Sequence, residues 1–181
     1  SRPLAEAHPE LLVIETPGLY REYRVENWHA SRSQRWRVAN GLSWISMFDV
    51  CSVMFFGLLW PSVKRNPVLM IATGVGLGLL VYLKLRQVLW ESVLVLPPYG
   101  IQLETHRGLP SLPLFVSRRF IPLTEVQDVL INEGLRRWDV RYYLAVLYSS
   151  RGQQCLEVAY ENTLPRFPVL LQIYHGIHEC L

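Results

Sequence analysis

Leu42-Ser-Trp-Ile-Ser-Met-Phe-Asp-Val-Cys-Ser-Val-Met-Phe-Phe-Gly-Leu-Leu-Trp60, Pro61-Ser-Val-Lys-Arg-Asn-Pro67 and Val68-Leu-Met-Ile-Ala-Thr-Gly-Val-Gly-Leu-Gly-Leu-Leu-Val-Tyr-Leu83 decide the class of this chain. The first run has roughly the twenty apolar residues that cross a bilayer core. The second is shorter and spans if Lys84 and Arg86 extend their stems to the headgroups. The segment between them is bracketed by prolines, which stop one helix and start the next. Trp44, Trp60, Tyr82 and Trp90 stand near the four ends, where amphipathic rings favour the interface. The stretch reads as a transmembrane helical hairpin over residues 42–86; a shallow re-entrant hairpin is the alternative.

Composition agrees. From Gly41 to Leu83 the only ionisable side chains are Asp49, Cys51, Lys64, Arg65 and Tyr82. Charged residues make up 18% of the chain, against about 25% for an average soluble domain, and the deficit falls in this block. The net charge of +3 is too mild for a nucleic-acid stripe. Cys51, Cys155 and Cys180 form neither a disulfide framework nor a metal-spaced pair.

Two features of the hairpin are candidate partner contacts. Gly74 and Gly78 form a GxxxG step that lets helices approach closely; glycine is also simply common in membrane helices. Asp49, mid-helix, costs at least ~2.5 kcal/mol in lipid and so calls for a partner helix, a polar cavity or protonation. Arg32, Arg35 and Arg37 before the hairpin and Lys84 and Arg86 after it outnumber Lys64 and Arg65 in the turn. The positive-inside rule then places both termini in the cytosol.

Residues 1–41 form an N-terminal segment in which Leu11–Val25 reads as two short strands around Pro17-Gly18. Two strands do not fold alone, so they add to a larger sheet or lie on a partner. Residues 87–181 carry a fuller pattern: strand-like runs at 91–96, 101–106, 114–120, 126–131, 140–148 and 154–160. Val140, Tyr142, Leu144, Val146 and Tyr148 alternate with Arg141, Tyr143, Ala145 and Leu147, the period of a strand. Ser149-Ser-Arg-Gly152 makes a hairpin turn. Phe167, Leu170, Leu171, Tyr174, His178 and Leu181 then recur at helical spacing, with Asn162 or Thr163 as cap. Antiparallel strands closed by one C-terminal helix predict an α+β, pleckstrin-homology-like domain; a flatter sandwich is the competitor.

Catalytic signatures are missing: no Walker loop, G-x-G-x-x-G, H-E-x-x-H or G-x-S-x-G occurs. Glu125 and Glu133 have a Glu-x7-Glu spacing, but a nucleotide-sugar site of that type needs α/β lobes for which there is no room. His175 and His178 lack a third ligand, so no metal and no cofactor are expected. Arg118-Arg119 and Arg136-Arg137 are doublets whose forks suit a lipid headgroup; a solvated sheet edge is the plainer reading. Ile131, Asn132 and Glu133 end a predicted strand and offer polar groups to a partner, or else begin a capping turn with Gly134.

Three stretches carry a resemblance: Glu91-Ser-Val-Leu-Val-Leu-Pro-Pro-Tyr-Gly-Ile-Gln-Leu-Glu104, Phe120-Ile-Pro-Leu-Thr-Glu-Val-Gln-Asp-Val-Leu-Ile-Asn-Glu133 and Val140-Arg-Tyr-Tyr-Leu-Ala-Val-Leu147. They resemble the PIG-H family of the glycosylphosphatidylinositol N-acetylglucosaminyltransferase complex, and the upstream hairpin is similar in layout. The resemblance implies a non-catalytic accessory subunit in the endoplasmic reticulum membrane, working beside a separate catalytic subunit and other membrane subunits. That complex moves N-acetylglucosamine from its uridine diphosphate sugar to phosphatidylinositol. The resemblance supplies no catalytic residue. The alternatives are an independent phosphoinositide-binding module and a small lipid enzyme.

Overall fold

The computed structural model of the chain describes residues 10–29, 38–39, 54, 56–57, 61, 64–109, 112–136 and 138–181. The first strands form as the sequence predicts. β1 (Leu11–Thr16) and β2 (Tyr20–Glu26) pair antiparallel around Gly18, whose φ of 76° suits glycine. They do add to a larger sheet. β2 hydrogen-bonds to β5 (Val88–Leu96), which continues to β6 (Gly100–Leu109) and β7 (Leu112–Pro122), giving the order β1-β2-β5-β6-β7. The strands on either side of the apolar block are therefore neighbours. A short pairing of β3 (Trp28–His29) with β4 (Val38–Ala39) lies within the intervening segment.

Of the two expected apolar helices, the second is described in full as α1 (Pro67–Leu85). Pro67 opens it at a position where the missing N–H costs nothing. Of the first, Met54, Phe56, Gly57 and Pro61 are helical, and the rest of 42–60, including Asp49, lies outside the described residues. Among the described residues α1 alone is long and apolar enough to cross a membrane, and none of it is buried against the protein.

The second sheet holds β8 (Val126–Arg136), β9 (Asp139–Ser150) and β10 (Gln153–Ala159) in the order β10-β9-β8. Arg151 and Gly152, at φ 53° and 78°, make the two-residue turn between β9 and β10, the backbone that matches strand twist in a tight hairpin. α2 (Phe167–His178) packs on the sheets. The core joins Tyr23, Val25, Val93, Val95, Ile101 and Ile121 from the first sheet to Val129, Leu144, Val146 and Tyr148 from the second. Val169, Leu170, Ile173 and Ile177 from α2 complete it.

Two local expectations change. The buried stripe of α2 is Val169, Leu170, Ile173, Gly176 and Ile177, whereas Phe167, Leu171 and Leu181 are exposed. The expected stripe shares only Leu170 with it. Gly176 explains the choice: a methyl group there would overlap the Tyr23 phenol, so this face lies against β2 at a distance only glycine permits. Asn162 and Thr163 do not cap α2 either; its N-cap is Arg166, with no side-chain cap bond. Both residues serve Glu91 instead.

Candidate functional site

Glu91 sits on the inner face of β5, 3% exposed. A buried carboxylate is costly unless its oxygens are hydrogen-bonded, and this one is well supplied. Asn162 donates from its backbone N at 3.1 Å and from Nδ2 at 2.7 Å; Thr163 donates from its backbone N at 2.9 Å and from Oγ1 at 2.8 Å. The loop leading into α2 is thereby tied to the strand that follows α1. Beside it Tyr160 donates to the Tyr23 carbonyl at 2.8 Å. Burial pushes the Tyr160 phenol well above its ordinary pKa, with the charge of Glu91 adding to the effect. Only the acid within the run Val88-Leu-Trp-Glu-Ser-Val93 signalled this arrangement in the sequence.

A cleft of about 180 Å³ opens next to Glu91, with Thr105, Arg107, Ser117, Arg119 and Glu157 among its walls. The outer face of the first sheet carries a second polar cluster. Arg24 lies 2.9 Å from Glu22 and over the Trp90 ring; Trp90 stacks on His106, with centroids 4.6 Å apart. His106 Nε2 is 2.9 Å from Glu104, which also accepts from Gln102 at 2.6 Å and Arg118 at 2.8 Å. Burial pushes the Glu104 carboxyl up, but the His106 and Gln102 bonds and the charge of Arg118 outweigh it and hold the carboxyl below its ordinary range.

The predicted site residues do not form one patch. Gly74 and Gly78 lie on α1 with open space around them. Arg118 and Arg119 are adjacent in β7 and so point to opposite faces. Arg118 binds Glu104 on the outer face, while Arg119, also exposed, donates to the Tyr148 phenol at 2.7 Å and lies 3.8 Å from Glu157 on the other. Arg136 reaches the Glu161 carbonyl at 3.4 Å; Arg137 lies outside the described residues.

Ile131, Asn132 and Glu133 stand within β8, not at its end. The strand runs on through Gly134 to Arg136. Gly134 is no turn residue here: it leaves room for the Tyr143 ring, which a Cβ would meet at 3.1 Å. Ile131 packs partly against the core, Asn132 accepts from the Glu133 N–H at 2.8 Å, and Glu133 is exposed beside Tyr142. β10 pairs with β9 only from Leu144 to Ser150, while β8 follows β9 out to Arg136 and Asp139. The outer part is thus a two-stranded ribbon bearing Leu135, Trp138 and Val140 in exposed positions. Such a ribbon is marginal alone and gains from a partner surface.

Among the described residues no cluster of His, Cys, Asp or Glu has metal-binding geometry. His178 Nδ1 lies 3.0 Å from the Tyr174 carbonyl and its Nε2 3.7 Å from Asp128.

Comparison with known proteins places these features. Residues 92–161 match the family model described as the PIG-H component of the GPI-GlcNAc transferase complex. The chain is 33% identical over 131 residues to the gpi15 component of the phosphatidylinositol N-acetylglucosaminyltransferase of Schizosaccharomyces pombe, covering 71% of this chain and 78% of that protein. It is 28% identical over 109 residues to the H component of the same transferase from Mus musculus, covering 58% of this chain and 56% of that protein. The Homo sapiens H component matches at the same identity and coverage. The match spans about half the length of the mammalian relatives. No solved structure matches.

Proposed function

Because this chain belongs to the PIG-H family of GPI-GlcNAc transferase components, we propose that it is the accessory subunit of such a complex and holds the catalytic subunit at the cytosolic membrane face. The complex transfers N-acetylglucosamine from its uridine diphosphate sugar to phosphatidylinositol, the first step of glycosylphosphatidylinositol anchor synthesis. The observation that carries the reading is the union of an unburied apolar helix, α1, with a sandwich whose interior is filled by side chains. The polar cleft of about 180 Å³ beside Glu91 and a more open, apolar one of about 270 Å³ between Gly134, Tyr143 and Leu164 are both smaller than the roughly 300 Å³ at which small-molecule sites begin, which supports a role without a nucleotide-sugar site of its own. The chemistry then belongs to another subunit.

The topology supports membrane placement. β2, β5, β6 and β7 in one sheet, β8 to β10 in the other and α2 last follow the element order of a pleckstrin-homology-like domain, with β1 added at the edge. The apolar block, a hairpin of two helices in this reading, is then an insertion in the connection between β2 and β5. The domain hangs below the endoplasmic reticulum membrane with both termini cytosolic. Asp49 and the Gly74/Gly78 face contact partner helices, and Ile131, Asn132 and Glu133 lie on a ribbon that contacts the catalytic subunit. Arg118, Arg119, Arg136 and Arg137 are the contacts offered to phosphatidylinositol headgroups, as separate residues rather than as one patch.

The test is a mild-detergent pull-down of the tagged chain from native membranes, with co-purifying proteins identified and sugar transfer to phosphatidylinositol assayed. Recovery of a glycosyltransferase with that activity, weakened by Asp49→Leu, is the expected result. Recovery of the folded chain alone, inactive and binding phosphoinositide headgroups selectively, would replace the accessory role by that of an independent lipid module.

A further inference from the structure

The end of the sandwich from which α1 emerges carries an exposed apolar surface. Only Arg86 and Gln87 separate α1 from β5, and the Gly108 N–H donates to the Gln87 carbonyl at 3.0 Å. That bond fixes the β6–β7 hairpin beside the end of the apolar helix. The hairpin sequence Leu109-Pro-Ser-Leu-Pro-Leu-Phe115 has no ionisable side chain. Leu114, Phe115 and Val116 are 42%, 59% and 43% exposed. A protein that ended in solvent at this point would gain nothing from such a tip.

Charge points to the occupant. From Lys84 to Trp90 and from Arg107 to Val116 there is no acidic residue, while Lys84, Arg86 and Arg107 fall in these segments. Arg107 is opposite Phe115 in the strand register. Its Nε is buried with no hydrogen-bond partner, and among the described residues its guanidinium forms no ion pair. A buried guanidinium donor without an acceptor is costly. Exposed apolar side chains with Arg107 directly across from Phe115, on the wall of the polar cleft, suit the headgroup boundary of an anionic bilayer, where apolar groups sink and basic groups meet phosphate.

We propose that the β6–β7 hairpin is a second membrane contact: Leu114 and Phe115 enter the boundary between headgroups and acyl chains, and Arg107 binds a lipid phosphate behind them. The proposal rests on the reading of α1 as membrane-spanning. It gives the domain a fixed tilt, because a helix end and a hairpin together define a plane where a single helix leaves rotation free.

The test uses the full chain with Cys51, Cys155 and Cys180 replaced by alanine, reconstituted in vesicles of phosphatidylcholine with or without phosphatidylinositol. A polarity-sensitive fluorophore is attached at Phe115→Cys, at Leu79→Cys within α1, or at Tyr99→Cys. Tyr99 is 70% exposed, in the turn at the opposite end of β6. The expected result is blue-shifted emission and shielding from aqueous iodide at 115, as at 79, with 99 open. A label at 115 as accessible as that at 99, with 79 shielded, would overturn the hairpin contact and leave the membrane reading intact. Accessibility at 79 would sink both. Shielding at 115 that appears only with co-purified subunits would assign the surface to protein and overturn the proposal. Added phosphatidylinositol should deepen the shielding, and Arg107→Gln should abolish that increment while Arg107→Lys keeps part of it. An increment that survives Arg107→Gln would remove the phosphate role from this residue.

Discussion

α1 and α2 are both rich in apolar residues, and they differ in where those residues fall. In α2 the apolar side chains form a stripe that disappears into the core, with Arg166 before the helix and His175 and His178 exposed on the other side. In α1 they surround the helix: Val68, Ile71, Val75 and Leu79 on one face and Met70 and Val81 on the opposite one are each more than half exposed. A stripe specifies a neighbour within the chain, whereas an apolar cylinder specifies surroundings that the chain does not supply. The hydrophobic effect therefore folds the α2 region alone and leaves the α1 region dependent on lipid or on a partner.

The sharpest way to break this contrast is to truncate one side chain from each helix. Ile173 is wholly buried, so Ile173→Ala should cost about 2–5 kcal/mol of domain stability. Leu79→Ala should change it by no more than about 0.5 kcal/mol. Urea unfolding of the chain in mild detergent, followed by near-ultraviolet circular dichroism, measures both. Equal losses would mean that α1 packs on the sandwich and that the contrast is false.

A smaller effect probes the point where the two regions meet. Glu91 ties the strand after α1 to the loop before α2. In Glu91→Gln one oxygen becomes an amide that donates into the donors of Asn162 and Thr163. Hydrogen bonds to a charged group contribute roughly 1.5–3 kcal/mol each, and orphaned donors add a penalty; the expected net loss is about 3 kcal/mol, with Asn162→Ala losing about 1 kcal/mol. Hydrogen exchange of the Asn162 and Thr163 amides should accelerate before that of β9. Unchanged exchange would show that the loop is held by its own backbone.

Much of this architecture is legible in the sequence because it is local. Alternation in β9 assigns Leu144, Val146 and Tyr148 to one face, and that face is buried. Alternation does not say how far cover extends, so Val140 and Tyr142 share the face yet lie exposed, Tyr142 meeting α2 only through the ring of Phe167 at its first residue. Helical spacing fits overlapping stripes. The aromatic one is conspicuous, but the buried one contains Gly176, whose value is visible only once Tyr23 is beside it. The pairing of Glu91 with Asn162 and Thr163 spans some seventy positions and leaves no local periodicity, so a helix cap is the natural local reading of those two residues. The arginine doublets illustrate the same point in reverse: adjacency in sequence suggests one patch, and strand geometry separates Arg118 from Arg119.

The smallest effect concerns pH and the outer face of the sheet. Glu104 receives bonds from His106, Gln102 and Arg118 that hold its carboxyl below the ordinary value of 4.5 despite burial. A carboxyl that is more acidic in the folded than in the unfolded chain stabilises the fold above the unfolded pKa and loses that contribution as pH falls through the folded value. The stability difference between the native chain and Glu104→Gln should therefore be constant from about pH 7 to pH 5 and shrink below about 4.5. Paired urea titrations at several pH values in detergent measure it. Arg118 is largely exposed, so added salt should weaken its share, while the bonds from Gln102 and His106, on the more enclosed part of the face, persist. A difference that instead grew on acidification would mean that burial dominates at Glu104 and that the cluster destabilises the face it occupies. The sheet beside α1 would then be held by its core side alone.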